Sequence, residues 1–116
     1  MAADGFSNTL PGMNIAVAYG QSIKYKGVFA WNTGDCCGWA ANNPKVDDIA
    51  YVKEMIEIMV KKYNVDKDKV YMTGWSSGGE LTYRAVCELG DKIKAAAPYA
   101  GALEMRKITM ANSAWT

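Results

Sequence analysis

Apolar positions along this chain follow two different periods. Ile49, Val52, Ile56, Met59 and Tyr63 recur at offsets of 0, 3, 7, 10 and 14 residues, which at about 100° per residue keeps them inside an arc of about 80°. Lys53, Glu57 and Lys61 lie on the flank of that stripe at i, i+4 spacing, with Glu57 ahead of Lys61 in the favourable order. Asp47 or Asp48 offers an N-cap after Pro44, placing an acid at the positive end of the helix dipole. The spacing predicts an amphipathic helix over 47–63. Elsewhere the apolar residues come in short runs without alternation: 14–19 (NIAVAY), 70–73 (VYMT) and 93–98 (IKAAAP). Such runs suit strands buried on both faces.

A second helix is predicted over 80–89, with Leu81, Ala85, Val86 and Leu89 apolar and Gly90 as its stop. Strand, helix, strand, helix, strand implies an α/β fold: a parallel sheet of about three strands with flanking helices. Residues 20–46 are rich in Gly, Asn, Asp and aromatics and read as one long structured loop. At 27 residues this loop exceeds what compact domains usually carry without a function.

Composition narrows the function classes. The 116 residues have room for a single domain, 1–116, and carry 13 basic against 12 acidic side chains. A net charge of +1 argues against electrostatic binding to nucleic acid or to an anionic membrane. No apolar run reaches the ~18 residues of a membrane span, and the N-terminal residues MAADGFSNTLPG do not read as a secretory leader. The histidine count is zero, so every mechanism needing an imidazole within these residues is excluded, the usual serine triad included. The adjacent Cys36 and Cys37 have no further ligand pair for zinc, and no cofactor or metal is expected. One of them could bridge Cys87 in an oxidising compartment; alternatively all three are reduced, buried thiols.

The chemistry sits at Gly74-Trp75-Ser76-Ser77-Gly78, a G-x-S-x-G pattern directly after a predicted strand and before a predicted helix. That context makes Ser76 the candidate nucleophile, raised above the sheet by a strained strand-to-helix turn. The flanking glycines are expected because a Cβ at either position would clash with the neighbouring strand or helix. The Ser77 backbone N–H is the candidate oxyanion donor, supported by the helix N-terminus. Trp75 and Trp31 are candidate substrate contacts, or else packing anchors for the loop. Lys92 and Lys94 read as solvated surface residues rather than as bases.

Together these residues resemble the polyhydroxybutyrate depolymerase and feruloyl esterase group of α/β-hydrolases. Trp31-Asn32 with Cys36-Cys37-Gly38 is similar to that group's tryptophan and double-cysteine loop, and Val46-Asp47-Asp48 to its helix start. Val70-Tyr71 followed by Gly74–Gly79 is similar to its nucleophile strand and turn, with Ser77 where the group usually has asparagine. Cys87 and the stretch 96–101 match the next helix and strand; the tail 108–116 does not align.

The resemblance implies a secreted serine carboxylic-ester hydrolase working through an acyl-enzyme on Ser76. Its substrates would be a polyester or an acylated polysaccharide. It raises the disulfide reading, Cys36 or Cys37 to Cys87. It also implies parts that are missing here: an upstream His-Gly turn giving a second oxyanion donor, and a downstream Asp and His, for which Asp91 and Glu104 are not at matching positions. The expectation is therefore a central, partial α/β-hydrolase domain, inactive by itself and prone to self-association through open sheet edges. A prolyl oligopeptidase-like peptidase fragment and a non-catalytic truncated domain are the competing readings.

Overall fold

The computed structural model describes residues 6–10, 12–34, 38–41 and 43–102. Along them run α1 (Phe6–Thr9), β1 (Ile23–Tyr25), β2 (Val28–Ala30), α2 (Asp48–Tyr63), β3 (Tyr71–Trp75), α3 (Ser77–Leu89) and β4 (Ala95–Tyr99). β3 and β4 pair in parallel from Tyr71↔Ala95 to Trp75↔Tyr99, with α3 as the crossover between them. This is a partial α/β fold. Its core is one cluster in which Val52 of α2 meets Leu81, Ala85 and Leu89 of α3 and the buried Ile93. Met72 and Ala96 reach the cluster from the inner face of the sheet.

The long helix starts as its sequence dictates. Asp47 is the N-cap, its carboxylate accepting the Ala50 N–H at 2.9 Å. At the other end Asn64 adopts a left-handed conformation, φ 56°, and its N–H is donated to the Met59 carbonyl. Asparagine tolerates that conformation better than most residues, so it closes the helix where glycine is usual. α3 stops at Gly90 as expected, though in a right-handed conformation at φ −61° rather than a left-handed one.

Two expectations are corrected. Residues 14–19 form no strand, and Ile15, Val17 and Tyr19 are exposed. An apolar run becomes a strand only where a neighbouring edge takes its backbone hydrogen bonds, and neither described sheet pairs with this one. Among the described residues the parallel sheet consists of β3 and β4, consistent with the expected partial α/β fold. Conversely, residues 20–46 are not all loop: β1 and β2 form an antiparallel hairpin. The Lys26-Gly27 turn that joins them has positive φ at both residues, the arrangement whose twist fits a two-residue hairpin.

What locks the remaining loop to the helices is a buried polar node on Asn32. Its backbone N–H is donated to the Asp48 carboxylate at 2.5 Å, and its amide nitrogen to the Asn43 and Val46 carbonyls. Its side-chain oxygen accepts from the Gly34 N–H and from Arg84. Arg84 reaches the Asn32 carbonyl as well, and its Nε is paired with Glu88 at 2.8 Å. Trp31 packs alongside, its ring 6.0 Å from that of Tyr51. Burial pushes the Asp48 carboxyl above its ordinary pKa and the neighbouring Asp47 adds to this, although the Asn32 N–H and Arg84 pull the other way.

α3 lies so close to β4 that glycine is required between them. A Cβ on Gly79 would stand 2.7 Å from the Tyr99 carbonyl oxygen, whereas one on Gly78 would meet nothing within 4 Å. Gly79→Ala should therefore destabilise the fold by about 1–3 kcal/mol through overpacking. Gly78→Ala, in open space within a helix, should be neutral or stabilising by up to about 1 kcal/mol; urea unfolding of both variants checks the pair. For Asp48 the folded pKa is raised, so its contribution favours the fold at low pH and is lost as pH climbs from 3.8 through the raised value. Asp48→Asn should thus gain stability relative to the parent chain as pH rises through that window, measured by unfolding across pH.

Candidate active site

β3 carries the chain to the C-terminal edge of the sheet, and α3 begins at the next residue but one. Between them stands Ser76, with φ 55° and ψ −119°. Non-glycine residues seldom hold positive φ, and such a conformation costs about 1–3 kcal/mol unless its surroundings fix it. Here they do. The Ser76 N–H is donated to the Tyr99 carbonyl of β4 at 2.9 Å, and the Ser76 carbonyl accepts the Glu80 N–H at 3.0 Å. Both backbone groups are therefore committed, one to the sheet and one to the helix.

Glycines allow the turn to close. A Cβ on Gly74 would run into the Gly78 carbonyl, and one on Gly101 would stand 2.7 Å from the Glu80 nitrogen and 2.8 Å from the Ser76 oxygen. The sequence motif attributes the close approach to Gly74 and Gly78. The structure keeps Gly74 but moves the second contact to Gly79, because the carbonyl of β4 lies over that residue and not over its neighbour.

Ser76 occupies the N-cap position of α3, where a serine hydroxyl normally accepts a first-turn N–H. It makes no such bond, and the residue is exposed. Among the described residues the hydroxyl thus has no capping duty, at the turn where the backbone is strained to present it. Ser77 follows as the first residue of α3; its N–H belongs to the first-turn donors that a helix cannot satisfy internally. These donors and the helix dipole give the space above Ser76 a positive potential that suits an oxyanion.

The other predicted residues are dispersed. Trp75 alternates with Met72 and Gly74 and so stands on the outer face of the sheet, 70% exposed, beside Tyr99 at 69% on the neighbouring strand. It adjoins Ser76 in the chain but faces away from α2 and α3. Trp31 is engaged in packing with the core cluster, its ring also closing on Gly20, where a Cβ would come within 3.2 Å. Cys87 is buried and unbridged on α3, and burial, with Glu88 nearby, pushes its thiol upward, which makes it a poor nucleophile at neutral pH. Cys36, Cys37 and Glu104 lie outside the described residues. Among the described residues no three His, Cys, Asp or Glu side chains are grouped to hold a metal ion, and no helix is long and apolar enough to cross a membrane.

Sequence reasoning missed three contributors: Tyr99, whose carbonyl anchors Ser76; Gly101, which sits against the turn; and Glu80. The last places an acid in the first turn of α3, with one carboxylate oxygen buried and without a hydrogen-bond partner among the described residues. The Gly78-Gly79 doublet and the glycine two residues after a strand were the available signals for the close contacts.

This chain is similar in part to several known proteins. Feruloyl esterase B of Piromyces equi is 39% identical over 71 residues, which is 61% of this chain and 12% of that protein. A bifunctional acetylxylan esterase/xylanase of Neocallimastix patriciarum is 43% identical over 54 residues, 47% of this chain and 8% of that protein. A probable feruloyl esterase C of Aspergillus clavatus is 28% identical over 96 residues, 81% and 35% respectively. The chain thus spans between 8% and 35% of the length of these three curated relatives. No solved structure matches. The family model of the prolyl oligopeptidase family matches residues 38–116, which include β3, the Ser76 turn, α3 and β4, and the chain belongs to that family of α/β-hydrolases.

Proposed function

We propose that this chain supplies the nucleophile region of a secreted serine esterase acting on acylated polysaccharide. The observation that carries the reading is the backbone of Ser76: positive φ, exposed, and relieved of capping. Relatives named as feruloyl esterase and acetylxylan esterase/xylanase support ester chemistry on acylated polysaccharide. The resemblance in sequence also admits a polyester substrate of the polyhydroxybutyrate kind.

In this mechanism the Ser76 Oγ attacks the ester carbonyl as its proton passes to a base. The carbonyl oxygen becomes an oxyanion held by the Ser77 N–H and the α3 dipole. The tetrahedral intermediate collapses, the C–O bond to the sugar breaks, and the base returns its proton to the leaving alcohol oxygen. An acyl-serine remains, and water attacks it by the same route to release the acid. These 116 residues contain no histidine, so an imidazole base belongs to further sequence of the enzyme, and the resemblance in sequence puts the acid that orients it and the second oxyanion donor there as well. Without a triad member, residual acceleration is about 10³–10⁴-fold over water even with an intact oxyanion hole.

The match to the prolyl oligopeptidase family favours one second reading, attack of the same serine on a peptide carbonyl. The test assays the product of the full reading frame on methyl ferulate, acetylated xylan, a polyhydroxybutyrate film and a prolyl peptide amide. Hydrolysis of the first two, falling at least about 10⁴-fold in Ser76→Ala, is the expected result. Cleavage of the film instead makes the enzyme a polyester hydrolase, and peptide cleavage without ester cleavage overturns the esterase reading. The 116-residue chain alone should show no saturable hydrolysis of any of them.

A further inference from the structure

α3 carries two distinct stripes. Leu81, Ala85 and Leu89 belong to the core cluster. Glu80, Arg84 and Cys87, at i, i+4 and i+7, share another side of the helix, where Arg84 bonds to Asn32 and Cys87 is buried. Glu80 heads this second stripe, in the first turn of α3. The residue is partly buried. Its inner carboxylate oxygen, Oε2, is fully buried and has no hydrogen-bond partner among the described residues.

The place of that oxygen gives it weight. The Glu80 N–H is donated to the Ser76 carbonyl at 3.0 Å, so this side chain springs from the residue that ties the nucleophile turn to the helix. Gly101, just past β4, closes on the same spot, where a Cβ would stand 2.7 Å from the Glu80 nitrogen. An acid in the first turn is favoured by the helix dipole, which accounts for the charge. The dipole does nothing for a buried oxygen without a donor, and such a group is costly unless something bonds to it. An acid four residues ahead of a cation is the better helical order, and Arg84 stands at that position. Yet its Nε is paired with Glu88 at 2.8 Å and its Nη1 is donated to Asn32. What Glu80 needs is therefore a donor rather than a charge.

We propose that Glu80 is a positioning residue for the Ser76 turn. Its inner oxygen accepts a hydrogen bond from an N–H or O–H of the enzyme's further sequence, and that bond sets the first turn of α3, on which Ser76 and the Ser77 N–H stand. In this role Glu80 touches no substrate and acts through the backbone it shares with Ser76. The inference rests on the esterase reading for its activity readout, and on the geometry of α3 for the bond itself.

The test takes the product of the full reading frame and compares Glu80→Met, which removes the acceptor at similar length, with Glu80→Gln, which keeps one carbonyl oxygen. Tm, and kcat and KM on methyl ferulate, are measured for both beside the parent and Ser76→Ala. Glu80→Met should leave the donor unbonded, so that Tm falls and kcat drops at least about tenfold while KM stays within about twofold. Glu80→Gln should restore Tm and bring kcat to within about threefold of the parent. A Tm that rises in Glu80→Met marks an acid without a partner and overturns the proposal. So does a kcat that Glu80→Met leaves unchanged, or a Glu80→Gln enzyme as impaired as Glu80→Met. Should Glu80→Met not fold, a crystal structure of the parent enzyme decides: a donor within about 3.2 Å of the inner oxygen is expected, and its absence contradicts the proposal. Failure of the esterase reading looks different, as a parent without ester hydrolysis or a Ser76→Ala enzyme that retains it, and the order of Tm values still reports the Glu80 bond.

Discussion

The carbonyl of Tyr99 fixes the geometry on which everything else depends. It accepts the Ser76 N–H at 2.9 Å, and a Cβ on Gly79 would stand 2.7 Å from it. One oxygen thus holds the serine at the end of the sheet while glycine lets α3 start directly above it. The cost of positive φ at a serine, about 1–3 kcal/mol, is met by the parallel pairing of β3 and β4 and by the Val52–Leu81–Ala85 packing behind them. Strain at Ser76 is therefore sustained by ordinary hydrophobic and ladder interactions a few ångströms away.

The same geometry explains a division of labour. The inner side of the sheet is covered by two helices and by a polar node in which Asn32, Asp48 and Arg84 satisfy one another. The outer side presents Tyr71, Trp75 and Tyr99, each about two-thirds exposed. Parallel strands are ordinarily buried on both faces, and the chain spans a small share of its relatives. On the proposed reading, the sequence that supplies the base and the acid is also where cover for this face is to be sought.

Much of this was legible from residue order alone. The α2 boundaries followed from the Ile49–Met59 stripe and the Asp47 cap, because a helix states its period and its start locally. Ser76 was legible because Gly74 and the serine sit between a strand pattern and a helix pattern. Strand status at 14–19 was not, since pairing depends on a neighbour the run does not encode. The hairpin at 23–30 escaped because Lys26-Gly27 is a weaker turn signal than Asn-Gly. Gly78 was credited with a contact that belongs to Gly79, for motif spacing does not say which α-carbon lies under the Tyr99 carbonyl. The Asn32 node joins residues 16 and 52 apart, and no local pattern announces such a partnership.

The most direct test of the account is an experimental determination of the Ser76 backbone within the intact enzyme. Positive φ near the 55° described here, with the hydroxyl facing solvent and the N–H on the Tyr99 carbonyl, is the predicted result. A Ser76 in the right-handed helical region, with its hydroxyl capping α3, would contradict it.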